Sequence, residues 1–543
     1  MRISRTGHLP VPQLAANEPP PPDYYADNVG QILSYVEKNH GDLLTTEERD
    51  FITCFQGISV SAQRLYARLV SRKGPWIRAD KLSYIEVPDV VGALAELSAN
   101  GLIEMNPSGP ADALLHLLTR GEQARLFPRV RAPTKLLWIE ACTALYTDYT
   151  IRDRISAAYT WLVLSSQPQL KLCQLLFFGD EYQDLSTFVI QDLGLVRYED
   201  YSLSKTERQF DDRAQLERYL YLRNLRRLSH RVTQHPDLAP LLVDRLMVEP
   251  CNRMEQRQLD KISNRLGYFF ERRGDFDEAL ACYGHSRTHP GGERIARVLK
   301  RLGDDAGVEL MLQRMKMRPR SAEEEDFAER FGQRGLKPDI PITTKTLTGD
   351  TPIHIEQHAM EVLTRDGGQA WHLENHFPLG VAGLLFWNVV FAPVKGAFLN
   401  PFQSGPVDLG WSDFARVRAQ VIEETLTQLS TNGAVYHTLK STWAAKQGVA
   451  NKLVSWRHFD RDLLDAVLEV IPESSLLDLA YHVLSNLYRA RTGFPDLLVI
   501  YEAGRYEFVE VKGPEDQLQP GQRIWFKSLK RLGLPARVLK FKR

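Results

Sequence analysis

The chain has 543 residues, 43% hydrophobic and 25% charged, the composition of a globular protein with material for large cores and roughly three or four domains. Lysine plus arginine and aspartate plus glutamate balance at 68 each, so net charge neither demands nor excludes a nucleic-acid partner, and local segregation of charge must be read instead. Cys54, Cys142, Cys173, Cys251 and Cys282 form no C-x-x-C pair, which argues against a cysteine zinc site or a disulfide framework and for a reducing compartment.

Taken in chain order, the start Met1–Pro10 lacks the apolar core of a signal peptide, and a cytoplasmic location is expected. Pro10–Pro22 is proline-rich and reads as a tail. Ser59–Lys73 has the spacing of a basic amphipathic helix, Trp76–Arg78 of a short strand, and Val87–Ile103 of a second helix ending at Asn100-Gly101. With Arg72, Lys73, Arg78 and Lys81 exposed, this region suits a winged-helix DNA-binding module, and equally a helical scaffold with solvated charges. Leu114–Ala144 reads as short helices around Phe127–Pro133, and the stretch to Gly194 as helix and turn throughout. Tyr219–Arg231 is a leucine-backed helix whose arginines, Arg226 among them, read first as a solvated face and second as a phosphate ridge. Arg273–Tyr283 resembles part of a tetratricopeptide repeat within a helical stretch from Gln215 to about Gly335.

A threonine-rich stretch, Thr343–Pro352, marks the boundary of a last domain. In it, His354/His358 and His372/His376 are each spaced i, i+4, yet neither first histidine is followed by the glutamate that a zinc protease requires. Phe377–Pro393 approaches membrane-span length, but its prolines and Asn388 interrupt it, so it reads as a buried helix. No G-x-x-x-x-G-K-[ST] and no G-x-G-x-x-G occurs, which leaves no sign of nucleotide-driven work.

The chemistry concentrates near the end. Leu497–Tyr501 and Tyr506–Val511 are strand-length apolar runs, and Glu502–Arg505 supplies a hairpin turn. Asp496 opens the first strand. Glu510 and Lys512 share one face of the second, and Val511 leaves its carbonyl available between them. Two carboxylates, a carbonyl and a lysine suit a hard divalent cation and phosphodiester hydrolysis. Gln522–Lys530 follows as a helix with apolar positions at helical spacing and basic residues, Arg523, Lys527 and Lys530, on the other face, and Ala536–Phe541 as a last strand.

The order Asp496, Glu510-x-Lys512, Gly513-Pro514, Gln522-x-x-Trp525 resembles the VRR-NUC domain of the PD-(D/E)xK nuclease superfamily. Ala62–Tyr66, Trp76–Arg78, Leu175–Gly179 and Gln191–Gly194 extend the likeness to the Fanconi-associated nuclease family, over most of the chain after about residue 45. The resemblance implies mostly α-helical N-terminal and helical-repeat regions followed by a C-terminal α/β nuclease domain. The expected divisions are a disordered tail (1–22), a winged-helix-like DNA-binding region (23–110), a SAP-like helical region (111–214), a TPR-like repeat (215–338) and the nuclease domain (339–543).

The activity implied is 5′-flap endonuclease and 5′–3′ exonuclease action on branched DNA in interstrand-crosslink repair. A Holliday-junction resolvase and a non-catalytic repair scaffold are the alternatives. By the same resemblance Asp496, Glu510 and Lys512 are catalytic, while Glu374, Asp496, Glu510 and the Val511 carbonyl hold Mg2+ or Mn2+, two ions in all. Arg72, Lys73, Arg78, Lys81, Gln522 and Lys527 are the expected DNA contacts. A bacterial, nucleoid-associated monomer without a membrane partner completes the expectation.

Overall fold

The computed structural model describes residues 23–72, 74–179, 196–332, 340–347 and 354–543. The expected tail, Lys73 and the Gln191–Gly194 motif therefore lie outside the described residues. The chain divides into two compact units, Met1–Arg197 and Tyr198–Arg543.

In the first unit α1 (Tyr24–His40), α2 (Thr46–Gly57), α3 (Val60–Val70) and α4 (Val90–Ala99) precede β1 and β2 or interleave with them, β1 being Ile77–Arg78 and β2 Glu104–Met105. Local chemistry sets the helix starts. Thr45 and Glu48 form a reciprocal capping box, and the Ser59 and Asp89 side chains accept from N–H groups in the first turns of α3 and α4. Then come α5 (Ala111–Leu115), α6 (Arg120–Leu126), α7 (Lys135–Leu145), α8 (Asp148–Ser156), β3 (Trp161–Val163) and α9 (Gln167–Phe178). β3 is a departure from the all-helical expectation. It pairs antiparallel with both β1 and β2, giving the order β1-β3-β2, a long-range pairing that local periodicity cannot reveal.

The second unit opens with helices α10 (Arg213–Ser229), α11 (Leu238–Asp244), α12 (Arg253–Arg273), α13 (Phe276–His285), α14 (Gly291–Leu302), α15 (Asp305–Met317) and α16 (Ala322–Arg330). The TPR-like stretch is the α12–α13 turn, where Gly267 lets the Tyr283 ring pack so near that an added Cβ would lie 2.6 Å from it.

Next come β4 (Ile342–Thr346), α17 (Ile355–Arg365), β5 (Gly368–His372), α18 (His376–Leu385), α19 (Trp387–Val390), α20 (Ala419–Leu429), α21 (Ala434–Lys446), α22 (Arg461–Val470), α23 (Glu473–Ser485) and α24 (Leu487–Ala490). The chain ends with β6 (Leu497–Tyr501), β7 (Tyr506–Lys512), α25 (Pro520–Arg531) and β8 (Ala536–Lys542).

The five strands form one sheet, β4-β8-β7-β6-β5, with β7 and β4 parallel to β8 and the other pairs antiparallel. Alternation along the strands divides the core in two. Leu497, Val499, Val509, Val511 and Leu539 pack with Ala359 and Leu363 of α17. Leu498 and Phe508 belong to a larger cluster with α18, α23 and α25. The long apolar run is not one helix: it breaks at Phe386 into α18 and α19, both packed in that cluster, and no helix among the described residues is long and apolar enough to cross a membrane.

Candidate active site

The hairpin forms as the sequence indicates, with Leu497 opposite Val509. That register carries Asp496 past the strand end to Val511, whose N–H donates to Asp496 Oδ2 at 2.8 Å. The Asp496 carbonyl in turn accepts from Leu373 N at 2.8 Å and Glu374 N at 3.2 Å, which ties the end of β5 to the site. Glu510 is 1% exposed. Its Oε1 accepts from Gln522 Nε2 at 2.5 Å and from Lys512 Nζ at 2.8 Å, while its Oε2 is buried without a hydrogen-bond partner.

Gln522 gets there because α25 comes close to the chain at Gly493. A Cβ at Gly493 would lie 2.7 Å from the Gly521 carbonyl carbon, and its φ of +90° also favours glycine.

Burial, and next the neighbouring Asp496 charge, push the Glu510 carboxyl up to about 7 against the pull of Lys512. Burial likewise raises Asp496, opposed by the Val511 N–H and by Lys512. The two carboxyls open on a cleft of about 540 Å³ that Glu356, Lys512, Asp516 and Gln522 also line. Its donors are mostly oxygen, as a hard divalent cation requires, and the unpartnered Glu510 oxygen is a ready ligand position.

Glu356, in the first turn of α17, was missed in the sequence reading. Its charge acts on both Asp496 and Glu510. Glu374, the expected ligand, stands beside the cleft: its side chain is 50% exposed, 3.7 Å from His372 Nε2, and its φ is +43°. The signal for Glu356 was an acidic residue opening the helix just before β5. The histidine pairs do not share helix faces, since His354 caps α17 and His372 ends β5; among the described residues no group of three or more His, Cys, Asp or Glu presents a metal-binding arrangement of its own.

The expected DNA contacts fare unequally. Arg72 is exposed, with its Nε donating to Tyr84 Oη at 2.9 Å, and Lys81 is half exposed, 3.7 Å from Glu122. Arg78 is buried, 4% exposed, and held by Asp80 and Glu122 at 2.5 and 3.0 Å. Its guanidinium is taken up by these two acids and by the face of the Tyr159 ring, not left exposed as the sequence suggested. Lys527 pairs with Glu329 at 2.6 Å, and Gln522 is spent on Glu510.

A second cavity, of about 560 Å³, is basic: Arg226 of α10, Arg257, Lys261 and Arg265 of α12, Arg320 and Arg489 line it. Burial first, then the arginines around it, lower Lys261 to about 8, and burial lowers Arg257 and Arg265. Asp260 and Glu323, the latter paired with Arg489, are the acids of the lining, so cations outnumber acids there. Only Arg226 was named from sequence, although the i, i+4 ladder at 253, 257, 261 and 265 was there to be read.

With this geometry in place, comparison with known proteins is decisive. A homologue of Fanconi-associated nuclease 1 from Pseudomonas aeruginosa is 30% identical, covering 97% of this chain and 97% of that protein. This chain belongs to the Fanconi-associated nuclease 1 family. Family models match residues 23–104 (FAN1, HTH domain) and 430–542 (VRR-NUC domain). The Arabidopsis thaliana homologue is 26% identical over 96% of this chain and 67% of its own, and the human protein 23% over 95% and 62%. The crystal structure of paFAN1 bound to 5′-flap DNA with a 2-nt flap and a gap superposes with a TM-score of 0.82 at 29% identity, covering 97% of this chain and 99% of that one. The chain is thus a nuclease built from a helical N-terminal region and a C-terminal VRR-NUC domain with a mixed sheet, in a superfamily that depends on divalent metal.

Proposed function

We propose that the acidic cleft hydrolyses phosphodiester bonds in branched DNA, cutting the strand that bears a 5′ flap, with Asp496, Glu510 and Lys512 as its catalytic residues. The observation that carries this reading is the buried, unpartnered Oε2 of Glu510 beside Asp496 and Lys512. Burial opposes ionisation of this carboxyl even with Lys512 on its other oxygen, and a cation at the unpartnered oxygen would favour the carboxylate. Asp496, Glu510 and the Val511 carbonyl would hold that cation, with Glu356 and Glu374 as further candidates, one facing the cleft and one tied to Asp496 by its backbone. Mg2+ or Mn2+ suits these oxygen donors, and their number supports two ions. Held there, such an ion would supply Lewis-acid chemistry, activating water and offsetting charge on the phosphate.

The chain supplies the rest. Gln522 and Lys512 fix the orientation of Glu510, and the Val511 N–H fixes that of Asp496. The Lys512 ammonium, 12% exposed, puts positive charge where phosphate oxygens gain negative charge as water adds to phosphorus and one P–O bond breaks. The basic cavity holds a DNA phosphate away from the reaction and so aligns the flap-bearing strand.

Flap selection is supported by paFAN1, a 29% identical structure bound to 5′-flap DNA. In the first unit Arg72 and Lys81 remain available for duplex contacts of the kind expected from the helix-turn-helix match. All the acids and the lysine of the cleft come from one chain, so a monomer suffices. The cellular setting we infer is interstrand-crosslink repair on the nucleoid of a bacterial cytoplasm.

The test is single-turnover cleavage of flap, four-way and linear DNA of one sequence, with Mg2+. The flap should be cut fastest and EDTA should stop all cutting. Asp496→Ala, Glu510→Ala and Lys512→Ala should each lose at least ~10²-fold in rate while retaining flap affinity. Equal rates on all three DNAs, or wild-type turnover in any of the variants, would overturn the reading.

A further inference from the structure

Arg253, Arg257, Lys261 and Arg265 follow one another at i, i+4 on α12, so they form a single basic stripe along the helix. Its two ends have different surroundings. Lys261 and Arg265 open into the basic cavity. Arg253, outside the cavity, is gripped by the loop that precedes α20: its Nη2 donates to Asp408 Oδ2 at 2.7 Å and to Asp413 Oδ1 at 3.1 Å.

The grip is anchored deeply. Asp408 is also bound by both terminal nitrogens of Arg418, at 2.9 and 3.0 Å, and Arg418 is buried with its guanidinium carbon 4.0 Å from the Phe414 ring centre. Between the aspartates, the Trp411 ring lies 4.7 Å from the guanidinium carbons of both Arg253 and Arg257. Ion pairs made with a buried acid are expensive to break, because the partner left behind is an unpaired buried charge. The first turn of α12 is therefore fixed to the nuclease body, and the cavity-lining Arg257, Lys261 and Arg265 further along the helix are carried with it.

We propose that this clamp, Arg253 between Asp408 and Asp413, is a positioning device that sets the spacing between the phosphate held in the cavity and the phosphate in the acidic cleft. It therefore sets where the flap-bearing strand is cut. The proposal rests on the reading of the cavity as a DNA phosphate site. Arg253 and Asp413 line neither the cavity nor the cleft, although Asp413 sits between the cavity-lining Ser412 and Phe414; they act through the placement of α12. Loosening the clamp lets the helix take more than one position, and each position delivers a different phosphodiester to the same catalytic groups. The consequence is a change of cut position, not of chemistry.

The experiment uses the full chain with Mg2+ and a 5′-flap DNA labelled at the 3′ end of the cut strand, with products resolved to single nucleotides. Arg253→Gln and Asp413→Asn should each reduce preference for the main wild-type position by about threefold to tenfold, the range for weakened mechanical coupling. Cuts should appear at neighbouring positions, and the summed single-turnover rate should hold. Thermal melting checks folding, and the partly exposed Asp413 provides the milder variant if Arg253→Gln is unstable. Unchanged cut positions in folded variants, whether or not the rate falls, would overturn the clamp and leave it ordinary packing. Lys261→Ala/Arg265→Ala separates the two ideas. If that variant binds and cuts as wild type, the cavity reading fails; if it loses affinity or position while Arg253→Gln and Asp413→Asn keep theirs, only the clamp fails.

Discussion

The acidic cleft and the basic cavity are of similar size, about 540 and 560 Å³, and opposite in charge. They are also built by opposite routes. Asp496, Glu510 and Lys512 are brought together by one hairpin, so a single local register places them. Arg226, Lys261, Arg320 and Arg489 come from four separate segments and meet only through helix packing. The contrast suggests a division of labour: the hairpin, stiffened by Gln522, performs the chemistry, and the helices determine which phosphate arrives there.

The largest effect that would break this division is expected in the cavity. Lys261→Ala/Arg265→Ala should raise the flap Kd by about tenfold and make the salt dependence of binding shallower, because the cavity phosphate is less fully neutralised and fewer counterions are released. The rate at saturating DNA should stay near wild type. Filter binding over a salt series measures both, and a fall in the saturated rate with unchanged affinity would reverse the assignment.

On the cleft side, Glu356→Gln and Glu374→Gln rank the two candidate ligands. Loss of a cation ligand is partly offset by more metal, so the variant of the true ligand should recover as Mg2+ is raised. Glu356, the one facing the cleft, is expected to show the stronger recovery. A flat Mg2+ dependence for Glu356→Gln would return that role to Glu374.

A smaller effect sharpens the comparison through pH. Lys261 faces Arg223 and Arg226 of α10 and Arg257 and Arg265 of its own helix, and burial with these neighbours lowers it to about 8. Asp260, His289, Arg320, Glu323 and Arg489 also line the cavity. Its charge is complete below that value and is lost as pH rises through it. Flap affinity should therefore weaken about twofold to threefold between pH 7 and 9, within the share of one neutralised phosphate. Lys261→Arg, whose guanidinium stays charged, should abolish that dependence. An identical pH slope in both proteins would show that Lys261 does not touch the DNA.

How much was legible in the sequence follows the same contrast. The hairpin, α25, β8 and the sites of Asp496, Glu510 and Lys512 were readable because alternation, turn residues and their order all lie within one short stretch. Glu356 was not, because its relation to Glu510 depends on how α17 packs across the sheet. Arg78 illustrates the opposite failure. Its letter suits a DNA contact, but Glu122, 44 residues away, buries it in an ion pair. β3 and the parallel pairing of β4 with β8 were hidden for the same reason, since each strand finds its partner far along the chain.

The account depends most on the claim that the buried carboxylates of the hairpin hold a divalent cation. Calorimetric titration of Mn2+ into the DNA-free chain tests it without relying on turnover. The wild type should bind with a saturable heat that Glu510→Gln and Asp496→Asn abolish, while Lys261→Ala/Arg265→Ala leaves it intact. Saturable Mn2+ binding of wild-type strength in Glu510→Gln would contradict it.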